Sequence, residues 1–181
     1  PVGGSGSKTV PSQVVADTLG VPYDWVTYDT SITDSSPVCT GTFASRATFV
    51  AGMAVKKAAE SAKAKLLEIA GKELEIDAAD LEGEAAMVTA KGAPQKQISV
   101  ADVAVAATWT HGELITGTGA HLNPYAAIVD PETGRVDLPP HAAISYAACA
   151  AEVEVDDETG QVRVTRLVQC FDVGKAINPT L

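Results

Sequence analysis

Apolar positions along the chain repeat with different periods, and those periods predict the elements. "TVPSQVVADTL", Thr9 to Leu19, puts Val10, Val14, Val15 and Leu19 on one helical face. Pro11 suits the first turn of that helix and Gly20 ends it. "WVTYDT", Trp25 to Thr30, alternates as a strand does, and Ser31 to Thr42 is a loop rich in turn formers. A long helix is predicted from Ala44 to Ala70, stopped by Gly71. Its first half, Ala47 to Val55, carries no charge and includes Gly52, which predicts burial. Its second half mixes Lys and Glu with Leu66 and Ile69, which predicts an amphipathic face.

Asp77 to Asp80 reads as a helical turn or loop. "EAAMVTAKGAPQKQISV" then predicts a hairpin: Val88 closes its first strand, Lys91-Gly92 makes the turn, and Gln97-Ile98 returns. Ser99 caps a helix running to Ala107, with Asp102 at the third helical position as in a capping box. Glu113 to Thr118 is a further strand, and residues 119–141 are irregular, with Pro124, Pro131, Pro139 and Pro140. Ile144 to Asp156 and Gln161 to Val173 are two strands joined by the turn "DETG", Asp157 to Gly160. Their alternation predicts one buried face and one wet face. "DPETGRV" repeats the turn chemistry of "DDETGQV". Together these elements describe an α+β fold, a long buried helix packed on mainly antiparallel strands.

Composition narrows the function classes. The 181 residues suffice for one domain or two small ones, and at 46% hydrophobic the chain can fold. A net charge of −10 argues against nucleic acid, whose backbone requires clustered Lys and Arg. Lys56, Lys57, Lys63 and Lys65 lie on the long helix among Glu60 and Glu68, as on a solvated face. No apolar stretch is long enough to span a membrane. Cys39, Cys149 and Cys170 are widely spaced and form no zinc or iron–sulfur motif, so reduced thiols in a cytoplasmic compartment are expected. The chain begins at Pro1 in a Gly/Ser-rich stretch and stops at "AINPTL" after a strand-like run, which predicts a piece of a longer polypeptide.

Three loops offer chemistry. "GGSGSKT", Gly3 to Thr9, leads into a helix, where small residues and free N–H groups suit an anion, as they also suit a plain flexible loop. "GTFASRAT", Gly41 to Thr48, leads into the long helix with hydroxyls on Thr42, Ser45 and Thr48 and a guanidinium on Arg46. That inventory fits a phosphate or polar heterocycle, or else a helix cap with Arg46 paired to a surface acid. "FDVGKAINP", Phe171 to Pro179, bends at Gly174 after a strand. His111, His121 and His141 lack metal-ligand spacing and read as ordinary surface or core histidines. Ser45 has no triad pattern around it, and the pairs Glu152/Glu154 and Asp156/Asp157 read as the wet side of a hairpin.

In their order and spacing, these motifs resemble the molybdenum-binding large subunits of the xanthine oxidase family. That family includes xanthine dehydrogenases, aldehyde oxidoreductases, aerobic carbon monoxide dehydrogenases, 4-hydroxybenzoyl-CoA reductases and nicotinate dehydrogenases. The resemblance runs from "GSGSKTVPSQVVADTLGVP" through "GTFASRATFVAGMAVKKAAE" to "SYAACAAEVEVDDETGQVRVTRLVQCFDVGKAINP". It implies that residues 1–181 are part of a molybdopterin-binding domain. In the family the first loop carries a Gln that contacts the cofactor; Gly4, Gly6, Thr9 and Gln13 match that motif, and Ser5 stands in place of the Gln, a departure from the pattern. The second loop implies cofactor contacts at Ala44, Ser45 and Arg46, with Phe43, Ala47 and Thr48 beside them.

The resemblance further implies a molybdenum–pterin cofactor in its cytosine dinucleotide form, with FAD and 2Fe–2S clusters on partner domains or subunits. Partners would be the rest of the molybdenum subunit and the iron–sulfur and flavin subunits. The parent enzyme would hydroxylate an aromatic, heteroaromatic, aldehyde or CoA-thioester substrate with water-derived oxygen, or run a related reduction. The "ASRAT" variant leans towards the bacterial multi-subunit branch. The family's catalytic Glu and its Gly-Gly-x-Phe-Gly loop fall outside this chain, so it holds no catalytic residue, no metal ligand and, when isolated, no cofactor or activity. The alternatives are an autonomous phosphate- or nucleotide-binding module and a non-catalytic assembly domain.

Overall fold

The chain divides after Leu122 into two units, Pro1–Leu122 and Asn123–Leu181. The computed structural model describes residues 6–29, 34, 36, 37, 39, 41–43, 45–122, 129–136 and 144–174.

In the first unit, α1 (Thr9–Leu19) ends where Gly20 turns left-handed, and the N–H groups of Gly20 and Val21 both bond Ala16 O, at 2.9 and 3.0 Å. The valine face is not the buried one. Ser12 and Ala16 are buried, because α1 packs on the long helix and small residues permit the closest approach. Ser12 Oγ is satisfied by donating to Lys8 O at 2.9 Å. The expected strand at Trp25–Thr30 is absent from its described part: Tyr23–Trp25 is a 3-10 turn, and 26–29 runs without a ladder partner. Thr30, the expected loop positions 31–33, 35, 38 and 40, and Pro124, Pro139, Pro140, His141 and Asn178-Pro179 lie outside the described residues.

The long helix begins as a five-residue π-helical turn, Ala47–Ala51, and continues as α2 (Gly52–Leu74). Gly71 does not stop it. The helix runs one turn further and closes at Glu75, in the left-handed region at φ 55°. Gly71 lets the chain fold back, since a Cβ there would sit 2.6 Å from Ile76 O. Of the burial expectation for this helix, the amphipathic second half holds and the buried first half does not. Val50 and Gly52 are buried in the first half while Thr48 and Phe49 are exposed, and the core residues Leu66, Ile69, Ala70 and Gly71 crowd the second half.

That second half meets a three-stranded antiparallel sheet, β1 (Leu81–Glu84), β2 (Met87–Ala90) and β3 (Ala93–Ser99), in the order β1-β2-β3. The predicted hairpin is β2–β3, turning at Gly92; β1 is an added strand. Ser99 accepts from Asp102 N at 3.0 Å to start α3 (Val100–Trp109), and its own hydroxyl donates to Asp102 Oδ2 at 2.6 Å. Leu66, Ile69, Ala70, Leu81, Val88, Ala90, Val103 and Ala107 form the core between α2, the sheet and α3. Each buried Leu, Ile or Val side chain of this core contributes about 1.5–3 kcal/mol by leaving water.

The segment 112–120 follows α3 and makes no strand. It runs extended along α2 instead, because its glycines allow backbone to touch backbone. A Cβ on Gly117 would lie 2.1 Å from Ala58 O, and one on Gly119 would lie 2.2 Å from Ala54 O. Lys57 Nζ donates to Ala120 O at 3.3 Å, and Glu113 meets Lys65 and Lys72.

The second unit contains β4 (Tyr146–Val155) paired antiparallel with β5 (Val162–Asp172). Its two similar turns are chemically alike, as expected. Asp130 Oδ1 accepts from Glu132 N and Thr133 N at 2.8 and 3.2 Å, and Asp156 Oδ1 accepts from Glu158 N and Thr159 N at 3.0 and 2.9 Å. These bonds hold both carboxyls below the usual aspartate range. The expected buried face is not covered within this unit, since every residue of both strands is exposed. The alternation itself is intact. A bulge lets Thr165 stand outside the pairing, so Val162, Val164, Leu167 and Phe171 all face the side that carries Val153 and Val155.

Candidate functional site

The Gly41–Thr48 loop is held by Arg46. Its Nη1 donates to Gly41 O at 2.6 Å and approaches Cys39 Sγ at 3.8 Å, while its guanidinium lies 5.5 Å from the Phe43 ring centroid. Arg46 N also bonds Phe43 O at 3.1 Å. Phe43 and Arg46 are thus brought together. No surface acid takes Arg46 among the described residues, so the alternative reading of an ion pair is not met there, and Arg46 braces its own loop instead. The Gly41 N–H and then the Arg46 guanidinium hold the exposed Cys39 thiol below the usual cysteine range.

Ser45 sits in the left-handed region at φ 54°, a conformation costing a non-glycine residue about 1–2 kcal/mol. That turn aims the chain into the π-helical start. Arg46 is the cap position there, yet no side chain caps the turn and no acid lies in it. The N–H groups at Ala47 and Thr48 therefore head a helix without a side-chain acceptor. The start of α1 shares the pattern: Lys8 is its cap position, it has no side-chain cap and no acid, and Gly6 precedes it at φ 70°. The start of α3, by contrast, is sealed by Ser99 and Asp102. At the start of α1, however, Val10 N–H already bonds Gly6 O at 2.9 Å and Pro11 has no N–H, so the Gly41–Thr48 loop supplies the anion-receptive helix start in a chain of net charge −10. Gly4, Ser5 and Ala44 lie outside the described residues.

The sequence reads His121 as an ordinary surface or core histidine, and the structure brings it to this site. Its ring meets Phe49 of the π-helical turn edge-on, with centroids 5.8 Å apart and planes at 80°. Glycines at 117 and 119 beside alanines at 54, 58 and 62 were the available signal. A separate open cleft of about 850 Å³ lies between α1 and the β1–β2 turn, lined by Gln13, Asp17, Tyr23, Glu82 and Glu84 among others. Its three carboxylates repel a phosphate-bearing ligand, which leaves the Gly41–Thr48 loop as the better cofactor wall.

Comparison with known proteins identifies the family. A model described as a molybdopterin cofactor-binding domain matches residues 3–181. The nicotine 6-hydroxylase large subunit of Paenarthrobacter nicotinovorans is 32% identical over 178 residues, covering 98% of this chain and 21% of that protein. The carbon monoxide dehydrogenase large chain of Afipia carboxidovorans is 30% identical over 180 residues, covering 98% of this chain and 20% of the other. Among solved structures, carbon monoxide dehydrogenase from Oligotropha carboxidovorans superimposes with a TM-score of 0.75 at 30% identity, covering 99% of this chain and 21% of that one. Quinoline 2-oxidoreductase from Pseudomonas putida 86 gives 0.74 at 27% identity, covering 99% of this chain and 22% of that one. The chain thus spans about a fifth of the length of these relatives. With a receptive helix start behind its second motif and a family match across residues 3–181, the chain belongs to the molybdopterin cofactor-binding domain family.

Proposed function

We propose that these residues form one wall of the molybdenum–pterin cofactor site in a larger oxidoreductase subunit, with residues 1–181 as part of its cofactor-binding domain. The observation that carries this reading is the uncapped, acid-free helix start behind Ser45–Arg46. Backbone N–H groups of Ala47 and Thr48 hold the anionic part of the cofactor, and the Ser45 hydroxyl adds a donor. Arg46 keeps the loop in shape through Gly41 and presents charge beside it. Phe43, Ala44, Gly4, Ser5 and Gly6 complete this wall.

When bound, the cofactor supplies the two-electron chemistry that oxidises a carbon centre with oxygen taken from water. The chain's own task is binding and orientation; the acid–base residues belong to other parts of the subunit. Relatives named for nicotine and quinoline support a heteroaromatic substrate. A cytosine dinucleotide form of the cofactor, FAD and 2Fe–2S partner subunits, and a cytoplasmic location complete the proposal; no helix among the described residues is long and apolar enough to cross a membrane.

The test is cofactor content of the full-length subunit. Ser45→Ala with Arg46→Ala should lower molybdenum and pterin occupancy together, measured on the purified protein after acid release. Unchanged occupancy would sink the proposal. Saturable binding of inorganic pyrophosphate by the isolated 181 residues, abolished by the same substitutions, would instead favour an autonomous phosphate-binding module.

A further inference from the structure

The Nε2 atom of His121 is sealed from solvent and has no hydrogen-bond partner among the described residues. A nitrogen in that state forfeits the bond it makes in water, which destabilises the fold unless something else supplies the partner. Ring packing does not account for a histidine here. A phenylalanine would keep the edge contact with Phe49 and remove the unpartnered atom. Position does account for it. Phe49 lies in the π-helical turn directly after Arg46–Thr48, and such widened turns recur at functional sites. The ring is also delivered by a fixed frame, since Ala120 O is held by Lys57 and Gly117 and Gly119 lie against the α2 backbone.

We propose that His121 is a further cofactor-binding residue: with the molybdenum–pterin cofactor at the Gly41–Thr48 loop, Nε2 makes a hydrogen bond to a polar group of that cofactor lying against the π-helical turn. This rests on the cradle reading given above. Either tautomer serves, because Nε2–H donates to a phosphate or carbonyl oxygen and bare Nε2 accepts from an N–H of the pterin or base. Nε2 is closed off in this conformation, so binding is accompanied by a local rearrangement around the ring. Phe49 is 41% exposed and has room to turn outward. The cofactor thus completes a hydrogen bond that the protein leaves unmade, and the histidine favours the loaded state over the empty one.

The experiment compares the full-length subunit as wild type, His121→Phe, His121→Gln and Arg46→Ala. Molybdenum and pterin content are measured under limiting cofactor supply, together with the thermal midpoint of each cofactor-free form. For His121→Phe the midpoint of the empty form should equal or exceed that of wild type, while occupancy falls about threefold to tenfold, as loss of one hydrogen bond implies. His121→Gln, which carries a donor and an acceptor, should recover part of that loss. Normal loading of His121→Phe beside poor loading of Arg46→Ala would overturn the role of His121 and leave the cradle standing. Normal loading of both would overturn the cradle as well. A lowered midpoint of the empty His121→Phe form, with no recovery by Gln, would mark His121 as a packing residue and also overturn the proposal.

Discussion

Ala85 and Ala86 make the β1–β2 turn at φ 50° and 62°, both in the left-handed region that hairpin turns of this type demand and alanine disfavours. Each costs about 1–2 kcal/mol relative to a residue that enters that region freely. Replacing Ala86 by Gly and Ala85 by Asn should therefore stabilise the first unit by about 1 kcal/mol, read as a higher urea midpoint at unchanged slope. The opposite sign is expected at Gly117 and Gly119. A Cβ at Gly117 would also lie 2.6 Å from Ala62 N, and one at Gly119 would lie 2.5 Å from Ala58 N, so backbone on both sides must separate. Gly117→Ala or Gly119→Ala should cost about 1–3 kcal/mol by overpacking, and the double variant should detach segment 113–121 from α2, seen as faster amide exchange there.

Among the elements, Glu113 ties the segment after α3 to α2 by facing Lys65 and Lys72, which also pair with Glu68 at 3.1 and 3.2 Å. Hydrogen bonds from Lys65 and then Lys72 pull the Glu113 carboxyl from 4.5 down to about 2. A depressed folded value means the contribution is complete above about 4.5 and is lost as the pH falls through about 2. The same contacts raise both lysines above 10.5, so their share is complete below that value and fades as the pH climbs through the raised one. Glu113→Gln should flatten the acid limb of an unfolding-midpoint profile between those two carboxyl values, and added salt should shrink the difference because the cluster is partly exposed. The elements that were legible in the sequence are those whose chemistry is local: α1 with its Gly20 end, the Ser99 cap, the twin Asp–Thr–Gly turns. Trp25–Thr30 and Glu113–Thr118 alternate as strands do, yet a strand needs a neighbour, and neither described segment has one. β1 is "LEGE", with no apolar alternation and a turn without Gly or Asn, so nothing local announced it. In the site, the polar loop was legible as an inventory of donors. The Arg46 brace, the π-helical turn and His121 were not, because each depends on contacts between residues far apart or on backbone geometry that no residue type dictates.

At the scale of the whole molecule, the two units differ in how they are stabilised. The first has a continuous aliphatic core, while in the second every residue of the paired strands is exposed. A two-stranded hairpin is marginal in water on its own. In the isolated 181-residue chain, amides of β4 and β5 should exchange at least about a hundredfold faster than those of Ile69, Val88 and Val103, measured by mass spectrometry or NMR. Equal protection in both units would show that the hairpin finds its cover within these residues. The glycine contact on α2 has a consequence of length. Two residues of extended chain advance about 6.6 Å, and four residues of helix about 6.0 Å. A glycine at every second position can therefore seat against an alanine at every fourth, as Gly117 does at Ala58 and Ala62 and Gly119 at Ala54 and Ala58. The two rulers drift apart by about 0.6 Å per step, so the fit is good over two teeth and poor beyond. The pair sets the register between segment and helix up to Ala54, and level with the π-helical turn the next residue but one along the segment is not a third glycine but His121, against Phe49.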